Sequence, residues 1–248
     1  MVRGTGTALN VAAILLGSGI GVLVGNRFPE RTRHTVTDAL GLVVLVIGGL
    51  NLAALSDGGF VRAVGSGGTL LVVLGALVIG GIAGSLLRLE QRLEAVGGRL
   101  QRRLTSGGSS EARARFIEGF VSASLVFVIG PLAVLGSLSD GLGRGIDQLA
   151  LKATLDGFAS LAFAASLGWG VAASAISVAV FQGVLTLLGF LLGGLLPGSL
   201  VAAVTATGGV LLLGVGLRLL QLRPVPVGDM LPALIVAPLL TALVELLR

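Results

Sequence analysis

The chain has 248 residues, of which 54% are apolar and 12% charged, too little polar surface to cover a soluble globule of that size. Seventeen Lys and Arg against twelve Asp and Glu give a net charge of +5. In a soluble protein that excess would suggest nucleic acid, but here the basic residues fall between apolar runs, where they mark topology and meet anionic headgroups. The absence of cysteine and the presence of one histidine exclude disulfides, thiol catalysis and metal sites built on thiolate or imidazole.

In chain order, apolar runs predict spans at 6–25, 36–55, 68–88, 116–136, 149–167, 170–195, 200–221 and 229–247, each near the ~20 residues that cross ~30 Å of hydrocarbon. The expected fold is all-α, a polytopic transmembrane bundle of about eight spans forming one domain over 1–248. The first run begins close to Met1 but lacks a small-x-small cleavage site after Gly25, so it is read as a retained helix. The fifth and sixth spans are divided only by Leu167-Gly168-Trp169-Gly170. Between the third and fourth, residues 89–115 are polar with Leu and Val at helical spacing in the first half. They predict a cytoplasmic amphipathic helix on anionic lipid, then a Gly107-Gly108-Ser109-Ser110 turn. The segment has no aromatic residue for base stacking, so nucleic acid is not an expected partner.

Alternating the spans gives one side twelve basic residues: Arg27, Arg31, Arg33, seven from Arg88 to Arg115, Arg218 and Arg223. The other side holds Arg3, Arg62, Arg144, Lys152 and Arg248. The positive-inside rule makes the richer side cytoplasmic and both termini extracytoplasmic.

Residues 21–52 align without gaps on 189–220, with ten of 32 positions identical, among them Gly21 with Gly189, Gly25 with Gly193, Pro29 with Pro197, Gly41 with Gly209 and Gly48 with Gly216. Equivalent helices would then run in opposite directions, an inverted repeat of spans 1–3 and 6–8, the arrangement that lets a central site face each side in turn. Gly17, Gly21 and Gly25, Gly80 with Gly84, and Gly189 with Gly193 form small-residue stripes for close helix packing within one subunit or for a homo-oligomer.

Polar groups at membrane depth supply the candidate substrate- or ion-binding residues: Asn10, Asn51, Glu118, Ser122, Lys152, Asp156, Ser160, Gln182. Lys152 and Asp156 are four apart on one helix face, an ion-pair spacing. A carboxylate in hydrocarbon is costly unless paired or hydrated, which makes Asp156 either a functional site or half of a structural pair. Glu118 lies near Arg113 and Arg115, the spacing of an interfacial salt bridge. Asp156-Gly157 offers a place for an unwound turn, and Gly130-Pro131 a second break. No phosphate loop, metal set or nucleophile elbow occurs, so neither an enzyme nor a cofactor is expected.

The segments GTGTALNVAAILLGSGIGVLVGNRFPER, DALGLVVLVIGGLNLA, FIEGFVSASLVFVIGPLAVLGSLSDGL, LKATLDGFASLAFAASLGWGVAASAISVAVFQGVLTLL and TGGVLLLGVGLRLL resemble the bacterial DUF554 membrane proteins over nearly the whole chain. The resemblance implies an integral protein of the bacterial inner membrane and no defined substrate. The expectation is secondary transport of a small polar solute or ion, with a gated ion channel or a non-transporting scaffold as alternatives.

Overall fold

The computed structural model describes residues 2–25, 27, 29–104, 109–192 and 197–247. Among these every regular element is helical: α1 Thr5–Gly25, α2 Glu30–Asn51, α3 Gly58–Val64, α4 Gly68–Leu86, α5 Leu89–Leu104, α6 Ser110–Val128, α7 Pro131–Gly141, α8 Asp147–Leu167, α9 Gly170–Leu192, α10 Gly198–Leu219, α11 Val227–Met230 and α12 Ala233–Leu247, with a 3-10 turn over Leu52–Ser56. Gly193, Arg248 and the Gly107-Gly108 part of the expected turn lie outside the described residues.

Among the described residues six stretches are long and apolar enough to cross a membrane: Thr5–Gly25, Glu30–Ser56, Gly68–Leu86, Gly170–Leu191, Gly198–Leu219 and Val227–Leu247. A seventh arises if α6 and α7, bent by 65°, count as one broken span. The bend falls at Gly130-Pro131, where Pro131 removes a helix hydrogen bond and Gly130 has φ 156°. The remaining expected span, the fifth at 149–167, is α8, as long as α1 but carrying Lys152 and Asp156 in its middle.

The helices are small and polar inside, large and apolar outside. On α1 the buried face is Gly6, Thr7, Asn10, Ile14, Gly17, Ser18, Gly21, Val22 and Gly25, while Leu16 and Leu23 are each 69% exposed. Leu50, Leu71 and Leu191 point outward in the same way. Lipid tolerates such a surface, and close backbone packing replaces the hydrophobic drive that a soluble core would use.

The chain forms two compact units. The first holds Met1–Gly41, Leu93–Val128 and Leu132–Leu195. In it α1 lies along α8: a Cβ on Gly17, Gly21 or Gly25 would strike the carbonyl oxygen of Gly157, Leu161 or Ala165 respectively. Both series advance four residues at a time in the same direction, so the helices are parallel and the Gly17/Gly21/Gly25 stripe packs within the subunit. Continuous helix through Gly157 replaces the unwound turn that its glycine suggested; its carbonyl is part of this seam. The chain break lies instead at Gly168, φ 77°. Helix α6 lies along α9, with Phe116 at Gly170 and Ser124 donating to Ser177 at 2.9 Å, also parallel. Gly97 of α5 meets Ile117 and Phe120 of α6 and Gln101 is buried. One face of the amphipathic helix is thus covered by protein, where the sequence had suggested lipid.

The second unit holds Leu42–Arg92, Ile129–Pro131 and Leu196–Arg248. Phe60, held by α3 after Asp57 caps that helix at the amides of Gly59 and Phe60, is buried with Ala76, Ala203, Ala233 and Ala237. Gly80 and Gly84 of α4 press on the backbone of Ala233 and Asp229. At one end Asp229 accepts from the Glu90 amide at 2.8 Å, Glu90 accepts from the Gly228 amide at 2.6 Å and Arg218 pairs with Glu90. Two helix N-termini are thereby capped reciprocally across 139 residues.

Candidate functional site

The first unit concentrates buried polar groups where α1, α7, α8 and α9 meet. Lys152 and Asp156, one turn apart on α8, form the ion pair that their spacing predicts, with Nζ 3.0 Å from Oδ1 and 2.8 Å from Oδ2. They are 6% and 7% exposed. Asn10 of α1 donates from Nδ2 to Asp156 Oδ2 at 2.9 Å, a bond across 146 residues that brings a second helix to the pair. The mutual attraction of the two buried charges offsets part of the cost of taking both out of water.

One turn before Asn10, Thr7 Oγ1 lies 3.4 Å from Thr186 Oγ1 of α9. The relative direction of these helices follows from their neighbours. Gly119 of α6 sits beside Leu167 of α8, and Phe127 meets Phe163 edge-on with centroids 6.1 Å apart. Helix α6 therefore runs against α8, and α1, parallel to α8, runs against α9. One turn along from the Thr7–Thr186 contact, the facing positions are Asn10 on α1 and Gln182 on α9.

Both are fully buried with polar atoms left unmatched: Asn10 Oδ1, Gln182 Oε1 and Gln182 Nε2 have no hydrogen-bond partner among the described residues. Buried polar groups are nearly always satisfied, so an unmatched amide beside an ion pair marks a place where something else completes the bonds. An occupant must donate to Asn10 and Gln182 and accept from Gln182.

The remaining candidates divide. Ser160 is buried and donates to the Gly157 carbonyl at 2.8 Å, on the α1–α8 seam. Ser122 donates to Glu118 Oε1 at 2.8 Å on α6, a grouping within the first unit but separate from the cluster. Asn51 belongs to the second unit, at the end of α2 beside Gly209. Sequence reasoning missed Asp140 of α7, whose carboxylate accepts from the amides of Gly4 and Gly6, each at 3.0 Å. This caps α1 from another helix and holds Thr7 and Asn10 in place. The only local signal was a carboxylate next to Gly141 at the end of an apolar run.

These features define a polytopic helical membrane protein with a buried, self-neutral polar cluster. The chain belongs to the family described as "Protein of unknown function (DUF554)", whose model matches residues 5–242. It is 30% identical over 237 residues to the "Uncharacterized protein YqgA" of Escherichia coli (strain K12), covering 96% of each chain. It is 26% identical over 235 residues to the "Uncharacterized membrane protein YdfK" of Bacillus subtilis (strain 168), covering 94% of this chain and 93% of that one. No solved structure matches it significantly.

Proposed function

We propose that the protein is a secondary transporter of a small polar solute or ion in the bacterial inner membrane, with the Asn10–Lys152–Asp156–Gln182 cluster as its central site and both termini extracytoplasmic. The observation that carries this reading is Gln182, fully buried with neither amide atom bonded among the described residues, on a helix that faces Asn10, which is bonded to the charged pair. A scaffold has no use for that cost, whereas a site that must bind and release its ligand does.

Alternating access through an inverted repeat fits the same picture. The aligned helices α2, Glu30–Asn51, and α10, Gly198–Leu219, are each 22 residues long and begin 168 residues apart, the offset of the alignment. Gly48 and Gly209 approach reciprocally: a Cβ on either would lie 2.9 or 2.8 Å from the other's carbonyl oxygen. Close glycine crossings of this kind let helices slide or rock with little side-chain rearrangement.

The test is a melting screen of the purified protein against sodium, potassium, amino acids and small amides. A ligand at 100 times its dissociation constant raises stability by about 2.7 kcal/mol. Gln182→Leu, which removes two unsatisfied atoms, is expected to raise the ligand-free stability by about 1–3 kcal/mol and to abolish the ligand's shift. A ligand-free Gln182→Leu protein less stable than wild type, with the same ligand response, would contradict the assignment.

A further inference from the structure

The two acidic residues singled out in the sequence share a local motif. Glu118-Gly119-Phe120-x-Ser122 in α6 recurs, 38 residues on, as Asp156-Gly157-Phe158-x-Ser160 in α8. In both copies a glycine of positive φ follows the acid by twelve residues, Gly130 and Gly168, and a new helix begins within two residues of it. The duplicated unit is thus helix, glycine break, helix.

The copies are inverted, since α6 runs against α8 through the Gly119–Leu167 and Phe127–Phe163 contacts. Glu118 is therefore level with Leu167, and Asp156 lies eleven residues back along α8, about 16 Å away at 1.5 Å per residue. Glu118 is level with the C-terminal end of α8, and Asp156 is the tenth of that helix's 21 residues. Each has a fully buried serine one turn further along in the direction of the other, Ser122 and Ser160. Packing alone would call for the glycine and phenylalanine to be duplicated, not for an acid and a buried hydroxyl in each copy.

We propose that Glu118 and Asp156 are the two carboxylate stations of one proton path, opening to opposite sides of the membrane. The proposal deepens the transport reading and rests on it. A proton fits better than a metal cation, which needs several oxygens at once. Asp156 already gives both oxygens to Lys152 and Asn10, and among the described residues no group of three or more His, Cys, Asp or Glu gathers. In transit only O–H bonds form and break. One carboxylate takes a proton from water on its side, protons exchange along the hydroxyls of Ser122 and Ser160 and water between them, the other carboxylate releases a proton to water on the far side, and no redox change occurs.

The charges near Glu118 are mostly basic: α5, which packs on α6 through Gly97 at Ile117 and Phe120, carries Glu94, Arg99, Arg102 and Arg103, and the Arg102 and Arg113 guanidinium groups lie beside Gly98. Helices α1 and α9 carry no charged residue, Asp140 of α7 is bound to the α1 N-terminus, and Lys152 shares the helix of Asp156. Arg115 lies about one turn before Glu118 on α6. Asn10 Oδ1, buried and unmatched next to Asp156, is an acceptor available to a water or a protonated group arriving there.

Because the chain has no cysteine, Ser122→Cys and Ser160→Cys each introduce a lone thiol of nearly serine size. In right-side-out and inverted vesicles, a membrane-impermeant methanethiosulfonate is expected to modify Ser122→Cys from the cytoplasmic side only and Ser160→Cys from the outer side only. Phe158→Cys, on the outward apolar surface, is expected to react from neither. Reaction of both serine-position variants from one side, or of neither from either, overturns the proposal. In proteoliposomes, solute-driven currents that persist with Glu118→Gln also overturn it while leaving the transport reading intact. Absence of current in the wild type overturns the transport reading itself.

Discussion

Lys152→Met alone is expected to destabilise the protein by about 3–5 kcal/mol, whereas Lys152→Met combined with Asp156→Leu recovers most of the loss. The single change leaves the Asp156 carboxylate buried with only the Asn10 amide as a partner, so its charge is uncompensated in a medium that cannot hydrate it. The double change removes both desolvation costs and puts apolar side chains in their place. The comparison is read from melting of the purified protein, with circular dichroism as the signal. It separates the pair's structural worth from its functional one, since the double variant is expected to fold and to transport nothing. If the single variant is as stable as wild type, water reaches Asp156 freely and the cluster is not the closed site described above. Asp156→Asn keeps the side-chain volume and an oxygen that accepts from Lys152, and it is the variant used for activity measurements once its size-exclusion profile matches wild type.

The second large effect belongs to the α1–α8 seam. Gly21→Leu places a side chain where the Leu161 carbonyl stands, and backbone cannot rotate out of the way as a side chain can. The expected cost exceeds the usual ~1–3 kcal/mol of overpacking, enough to remove folded protein from the membrane fraction. Gly19→Leu, two residues away on the same helix with nothing within 4 Å of its would-be Cβ, faces outward and is expected to be neutral. Detergent-resistant yield and size-exclusion profiles of the two variants provide the measurement. Equal behaviour would mean that α1 does not pack on α8 through its glycines. The seam also sets the register that brings Asn10 to Asp156.

Much of this arrangement is legible in the sequence, and the parts that are not share a cause. The Lys152–Asp156 pair and the Gly17/Gly21/Gly25 stripe are relations within one helix, where a spacing of four residues determines which groups meet. What the stripe packs against is invisible, because the opposing atoms are backbone carbonyls of Gly157, Leu161 and Ala165, and carbonyls carry no residue signature. The Asn10–Asp156 bond and the Asp140 cap span well over a hundred residues, beyond any local pattern. Gly157 was legible as a flexible point but serves as a close-packing point, and glycine supports both. The bend at Gly130-Pro131 was legible because proline removes a donor wherever it stands. The Glu118 and Asp156 motifs were also available to a reader, 38 residues apart, but the similarity is short and gains weight only once the two helices are known to run in opposite directions.

Current recordings from proteoliposomes on a solid-supported membrane test most directly whether the buried cluster of the first unit carries a solute or ion across the membrane. Concentration jumps of protons, sodium, potassium, chloride and amino acids are applied to the wild type and to Asp156→Asn reconstituted at equal density. The expected result is a transient current for one class of jump in the wild type, absent in Asp156→Asn despite normal insertion and an unchanged size-exclusion profile. Currents of equal size in both proteins, or none in the wild type across the whole series, would contradict it.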